Sequence, residues 1–316
     1  MTGSAAEPLP PLIRPPRLRP GDRIAVVAPS GPVDRERLDA GCAVLRGWGL
    51  RVECMPHVLA RHDRLPYLAG SDDARAADLQ QAWLDPSVAA VLCVRGGYGA
   101  QRIVDLLDWS RMRHQAPKIF AGSSDVTALH EAFATQLGVV TLFAPMVGST
   151  AFVDDATTRE HLRRMLFAPE STRLLTSART EPLIGGRARG VTIGGTATLL
   201  AAGVGTPATR PAAPGGIAIL EDVTEDAYRL DRILTQLLRA GWFTGVTAVA
   251  LGSWVDCEPS ADVRALALDR LGGLGVPVVW ELGFGHCLPQ LTVPLGVRAE
   301  LDADAGTLTL LDPPLR

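Results

Sequence analysis

The chain has 316 residues, 47% hydrophobic and 21% charged, with 31 basic against 34 acidic side chains and a net charge of −3. That apolar fraction excludes wholesale disorder, and the length exceeds the about 250–300 residues at which single cores stop growing, so two domains are expected. The near-even charge balance argues against a nucleic-acid partner recognised through a large basic surplus.

Lys118 is the only lysine. The five cysteines (Cys42, Cys54, Cys93, Cys257 and Cys287) are scattered, odd in number and never in a CxxC arrangement. Neither a disulfide framework nor a zinc site fits that spacing, and a reducing, cytoplasmic compartment is the expectation. Prolines interrupt the N-terminus where a signal peptide needs an apolar core, and no stretch approaches the about 20 apolar residues of a membrane span. No membrane partner is expected.

Residues 1–17 are a Pro-rich lead. Short apolar runs then alternate with longer amphipathic stretches. Strands are expected at 23–28, 51–55, 88–94, 118–121 and 139–143. Helices are expected at 34–49, 71–84, from the turn at 95–99 to 109, at 126–137 and at 157–167. Such alternation predicts a doubly wound, mainly parallel, flavodoxin/Rossmann-like sheet over 18–168, with ligands beyond the carboxyl ends of its strands. Residues 169–184 lose the pattern and read as a linker. The second domain, 185–316, opens Gly-rich and reads as mixed α/β. Its strands are expected at 216–220, 246–251 and 276–280, with Pro277 demoting the last to an edge strand or a strand start. The runs 297–302 and 307–311 read as a hairpin.

Three turns carry candidate chemistry. The fourth strand ends in Ala121-Gly-Ser-Ser-Asp-Val-Thr127 and enters a helix at once. A serine on such a turn exposes its hydroxyl at the sheet's edge, with free N–H groups and a positive dipole end behind it. Ser124 holds the serine place of a G-x-S elbow, although Val126 stands where the second glycine would be. The plainer reading is that Ser124 or Asp125 only caps the helix. Arg95-Gly-Gly-Tyr-Gly99 ends the third strand, and its adjacent glycines allow a backbone N–H, that of Gly97, to approach a ligand.

Glu221-Asp-Val-Thr-Glu-Asp226 ends the strand at 216–220. Asp222 and Glu225 have capping-box spacing, which leaves Glu221 free to orient a histidine. A metal cluster of Glu221, Asp222, Glu225 and Asp226 is a weak rival, because no histidine joins it. Among six histidines, His57, His62, His114 and His161 read as surface residues, and His130 as an awkwardly placed base on the helix after Ser124. His286, in Gly283-Phe-Gly-His-Cys-Leu-Pro-Gln290, is better placed to reach a site. A Ser124, Glu221, His286 triad would then span both domains, with the N–H groups of Gly97 and Asp125 receiving the oxyanion.

Arg95-Gly-Gly-Tyr-Gly, Gly122-Ser-Ser-Asp-Val-Thr, Leu220-Glu-Asp-Val-Thr-Glu-Asp-Ala-Tyr-Arg-Leu-Asp-Arg and Gly285-His286 together resemble the LD-carboxypeptidases. These muramoyltetrapeptide carboxypeptidases share a wider family with the microcin C immunity hydrolases. The resemblance implies a cytoplasmic serine peptidase, without metal or other cofactor, that releases terminal D-alanine from murein tetrapeptides in cell-wall recycling. It also implies a homodimer, a nucleophile at Ser124, an acid at Glu221, a base at His286 and oxyanion donors at Gly97 and Asp125.

Two departures bear on substrate choice. The family's His-Gly-Pro-Met turn reads Phe143-Ala-Pro-Met146, and its Gly-Gly-Asn-Leu signature reads Gly194-Gly195-Thr196-Ala197. Arg95 and Arg102 are the candidates to hold a terminal carboxylate. The rival readings are an amidase acting on peptidyl or aminoacyl nucleotides, for which Trp254 is the aromatic residue to check, and a non-catalytic binding protein whose triad residues do not converge.

Overall fold

A computed structural model describes residues 7–258 and 260–316, so the first six residues of the Pro-rich lead lie outside the described chain. In chain order the first half contains β1 (Arg23–Val27), α1 (Arg35–Gly47), β2 (Arg51–Cys54), α2 (Asp72–Leu84), β3 (Val88–Cys93) and α3 (Ala100–Ile103). It continues with α4 (Trp109–Arg113), β4 (Ile119–Gly122), α5 (Thr127–Ala132), β5 (Thr141–Phe143), α6 (Thr150–Asp154) and α7 (Ala156–Phe167). Strands β1 to β5 are parallel and lie in the order β5-β4-β3-β1-β2. All four residues of β4 are buried, as a strand covered on both faces requires. The strand order reverses between β1 and β3, which is where a doubly wound sheet opens a crevice at its carboxyl edge.

The second half contains β6 (Leu174–Leu175), β7 (Glu181–Ile184), β8 (Arg187–Thr196), α8 (Ala197–Gly203), β9 (Gly216–Val223) and α9 (Ala227–Arg239). After these come β10 (Ala248–Val255), α10 (Ser260–Gly272), β11 (Val278–Trp280), β12 (Val293–Leu295), β13 (Arg298–Asp302) and β14 (Thr307–Leu310). Eight strands form a mixed sheet in the order β6-β14-β13-β8-β9-β10-β11-β7. Its centre, β8 to β11, is parallel, and its flanking strands are antiparallel.

Several elements differ from expectation. Residues 169–184, expected as a linker, carry β6 and β7, which pair with β14 and β11 at opposite ends of the second sheet. Strand β12 leaves the second half and pairs antiparallel with β5, so it closes one end of the first sheet. Pro277 precedes β11, which is a strand start rather than an edge, because β10 and β7 flank it. Helix α9 starts at Ala227 with no side-chain cap, so the expected capping box between Asp222 and Glu225 is not made. The carboxylate of Asp222 instead accepts from the Thr198 N–H at 2.8 Å and its hydroxyl at 2.7 Å.

Candidate active site

The turns after β1, β3 and β4 are fastened together at the carboxyl edge of the first sheet. Buried Arg75 on α2 ties two of them together, donating to the carbonyls of Pro29 and Gly99. The Gly31 N–H donates to the Gly96 carbonyl at 2.9 Å. Asp125 accepts from the Ala100 N–H at 2.7 Å, which fastens the turn after β3 to the one after β4. Burial pushes the Asp125 carboxyl above its ordinary range, against hydrogen bonds that favour its charged form.

Ser124 has φ of 60°, a left-handed conformation that costs a side chain about 1–3 kcal/mol and concentrates at functional turns. It is half-buried, whereas Ser123 and Asp125 beside it are buried. Gly96 lies directly under it. A Cβ there would stand 2.8 Å from Ser124 Cβ and 3.1 Å from Oγ, so only glycine allows the two turns to approach this closely. Gly97 itself is exposed, with φ of 102°. Neither its N–H nor that of Asp125 forms a hydrogen bond among the described residues.

The second sheet brings a carboxylate and an imidazole to the same region. Glu221, near the end of β9, is fully buried, and its Oε2 accepts from His286 Nδ1 at 2.7 Å. That bond directs the other ring nitrogen, Nε2, away from the acid. Burial depresses the proton affinity of His286, but the charge and hydrogen bond of Glu221 more than offset it, so its pKa is raised. Gly285 makes room for the pair, since a Cβ there would lie 2.5 Å from Glu221 Oε2. Burial and the neighbouring Glu221 charge push Asp222 up to about 6.

The two sheets are joined at the site by a relay that sequence reasoning missed. Thr127, three residues after Ser124, accepts at its hydroxyl from the Thr196 N–H at 3.0 Å. The Thr196 hydroxyl in turn donates to Glu221 Oε1. Nothing in the spacing pointed to this contact; the only signal was that Thr196 stands where the family signature has asparagine. Ser124 Oγ and His286 are not hydrogen-bonded to one another, so the acid–base half of the expected triad is assembled and the nucleophile–base contact is open. Catalytic hydrogen bonds are often long without substrate and tighten on binding.

Other candidates resolve differently. His130 is buried, with Nδ1 bonded to the Thr141 hydroxyl and Nε2 to the Gly122 carbonyl, so it braces the elbow rather than facing a substrate. His161, expected at the surface, has its Nε2 buried and its Nδ1 accepting from the Thr292 N–H at 3.1 Å, because α7 packs over the segment entering β12. Arg102 is engaged by Asp72 through two nitrogens, whereas exposed Arg95 donates only to the Pro32 carbonyl, at 2.6 Å. Trp254 is 7% exposed and stacks on Trp280 with centroids 6.0 Å apart, so one face of its ring is already covered. Glu221 and Asp222 turn to different partners, and no group of three or more potential metal ligands exists among the described residues.

A strained serine turn on a doubly wound sheet, tied through Thr127 and Thr196 to the carboxylate of a Glu–His pair on a second sheet, fits a two-domain α/β hydrolase. The N-terminal domain of the LD-carboxypeptidases matches residues 24–144, and their C-terminal domain matches residues 189–301. The chain is 64% identical to a putative carboxypeptidase of Streptomyces coelicolor, over 96% of this chain and 98% of that one. It is 34% identical to the murein tetrapeptide carboxypeptidase of Pseudomonas aeruginosa, over 89% and 94% of the two chains. The solved structure of the microcin C7 self immunity protein MccF is similar with a TM-score of 0.86, covering 96% of this chain and 100% of that one. At 21% identity that last likeness shows the fold alone. The chain belongs to the LD-carboxypeptidase family of serine-type peptidases.

Proposed function

We propose that the protein hydrolyses the L,D-peptide bond that holds the terminal D-alanine of murein tetrapeptides, through an acyl-enzyme on Ser124. His286 Nε2 takes the Ser124 proton as Oγ attacks the carbonyl carbon, and the N–H groups of Gly97 and Asp125 receive the oxyanion. Collapse of the tetrahedral intermediate breaks the C–N bond, and His286 passes the proton to the departing amine of D-alanine. Water then repeats the sequence on the ester. Glu221 holds the Nδ1 proton and stabilises the imidazolium. Arg95, free of any carboxylate partner among the described residues, takes the substrate's terminal carboxylate.

The observation that carries this reading is the pair of buried Glu221 and half-buried His286, 2.7 Å apart, linked through Thr196 and Thr127 to the helix that follows a serine elbow strained to φ of 60°. A cytoplasmic setting and a homodimeric state belong to the proposal too, and rest on the family resemblance. Incubation with a murein tetrapeptide and mass analysis for lost alanine tests the substrate, and no release by the wild type refutes it. Ser124→Ala is expected to lower kcat by on the order of 10⁴–10⁶, and undiminished release would remove Ser124 from the nucleophile's role. A parallel incubation with an aminoacyl sulfamoyl adenylate separates the amidase reading.

A further inference from the structure

Two of the five cysteines, although scattered in sequence, meet in the fold. Cys42 on α1 and Cys54 at the end of β2 are twelve positions apart, and their sulfurs are 3.6 Å from one another. Cys54 is the exposed cysteine, while Cys42 and the other three are buried. An oxidant arriving from solvent therefore meets Cys54 first, and a second thiol already touches it from behind. From this geometry we infer that Cys42 and Cys54 form a reversible disulfide under peroxide, a modification site separate from the peptidase chemistry.

The surroundings assign different roles to the two thiols. A hydrogen bond with Cys42 and the nearby Arg46 guanidinium, which outweigh burial and the charges of Asp39 and Glu53, hold the Cys54 thiol below its ordinary range. The same contact and burial push Cys42 up. Cys54 is thus the attacking thiolate and Cys42 the resolving thiol. The Cys54 sulfur attacks one peroxide oxygen, the O–O bond breaks, and a sulfenic acid forms with release of hydroxide, which is protonated to water. The Cys42 sulfur then attacks the Cys54 sulfur, the S–O bond breaks, and the departing hydroxide leaves as water with the Cys42 proton. Two thiols and one hydrogen peroxide become one disulfide and two waters, with two electrons passing from sulfur to peroxide.

The fold allows the closure. A disulfide needs the sulfurs at about 2.05 Å, an approach of roughly 1.5 Å. Strand β2 is an edge strand, paired on one side only with β1 among the described residues, so its end can yield toward α1. The cross-link would also keep the exposed sulfur of Cys54 from the irreversible sulfinic stage.

The test treats the full-length protein with a few equivalents of hydrogen peroxide and reads intact mass and a non-reducing peptide map. The expected result is a loss of about 2 Da, the two thiol hydrogens, mapped to a Cys42–Cys54 cross-link that dithiothreitol reverses. The oxidised form should melt a few degrees higher, as closing a short loop in the unfolded chain requires. Cys54→Ser should abolish the mass loss. Cys42→Ser should leave a Cys54 sulfenic acid that a dimedone probe captures. Overturning results are a cross-link between other cysteines, free thiols at both positions after oxidation elsewhere, or an unreactive Cys54 in Cys42→Ser.

Discussion

At the residue scale, the buried carboxylate of Glu221 is the group on which the proposed chemistry turns. A buried charge persists only if its oxygens are paired, and here both are taken, one by His286 and the other by the Thr196 hydroxyl. Thr196→Val keeps the shape and removes the second donor, so kcat/KM should fall roughly tenfold to a hundredfold, while Thr196→Ser should stay close to wild type. Steady-state kinetics on a murein tetrapeptide checks both. The raised pKa of His286 places the acid limb of the kcat/KM profile above the ordinary imidazole value of 6.5. Activity should be lost as pH falls through that limb, because the base must be neutral to accept the serine proton. Glu221→Gln removes the charge that raises it and leaves the burial that lowers it, so the limb should move to lower pH.

The two ends of helix α2 are held by contacts of different range. Helix α2 is capped at its start by Ser71, whose hydroxyl accepts from the Ala74 N–H at 3.2 Å. At its other end Lys118, the chain's one lysine, donates its ammonium to the Asp85 carbonyl. Lysine suits this place because a compact ammonium can satisfy the exposed carbonyls at a helix's negative end. Burial pushes Lys118 down to about 8, which still leaves it charged at neutral pH. Lys118→Met keeps the apolar stem and removes the donor, so it should destabilise by about 1–3 kcal/mol, read as a lower urea midpoint. The Ser71 cap was legible in the sequence because capping is local. The Lys118 cap was not, because β4 must first pair with β3 before the residue preceding it reaches α2.

Over the whole molecule, the halves are held by more than the site. Glu131 on α5 is buried, and its carboxylate accepts from Arg210 Nε at 3.0 Å and from the Arg210 N–H at 3.2 Å. Arg210→Ala would strand that carboxylate and should cost about 3–5 kcal/mol, measurable by chemical denaturation. Buried His130 and partly buried His161 both weaken the fold in acid. Burial holds His130 and His161 at about 4, well under the ordinary 6.5. Between those values the unfolded chain takes up protons that the folded chain refuses, so stability should fall as pH drops from about 6.5 toward 4. The loss is on the order of 3 kcal/mol for His130 alone, and replacing His130 with a neutral isostere such as glutamine should flatten urea midpoints across that window.

The first sheet could be read from the chain almost strand by strand. Its strands are short apolar runs separated by amphipathic helices, and periodicity of that kind is local in sequence. The candidate serine and histidine could be singled out for a related reason, since each lies at a glycine-flanked turn, whereas Glu221, read at a strand's end, lies buried within β9. The second sheet was only partly legible. Its longest strand, β8, runs through a Gly-rich stretch that hides the period, and β6 and β7, like β12 of the first sheet, take their hydrogen bonds from partners distant in sequence. Distance in the chain hid other contacts too: Thr196 beneath Glu221, Arg102 claimed by Asp72, and Cys42 against Cys54. Composition and charge argued against whole classes of partner at the outset, and five scattered cysteines read as unpaired. Folding brings two of those sulfurs into contact, because proximity in space depends on how α1 packs against β2 and not on spacing along the chain.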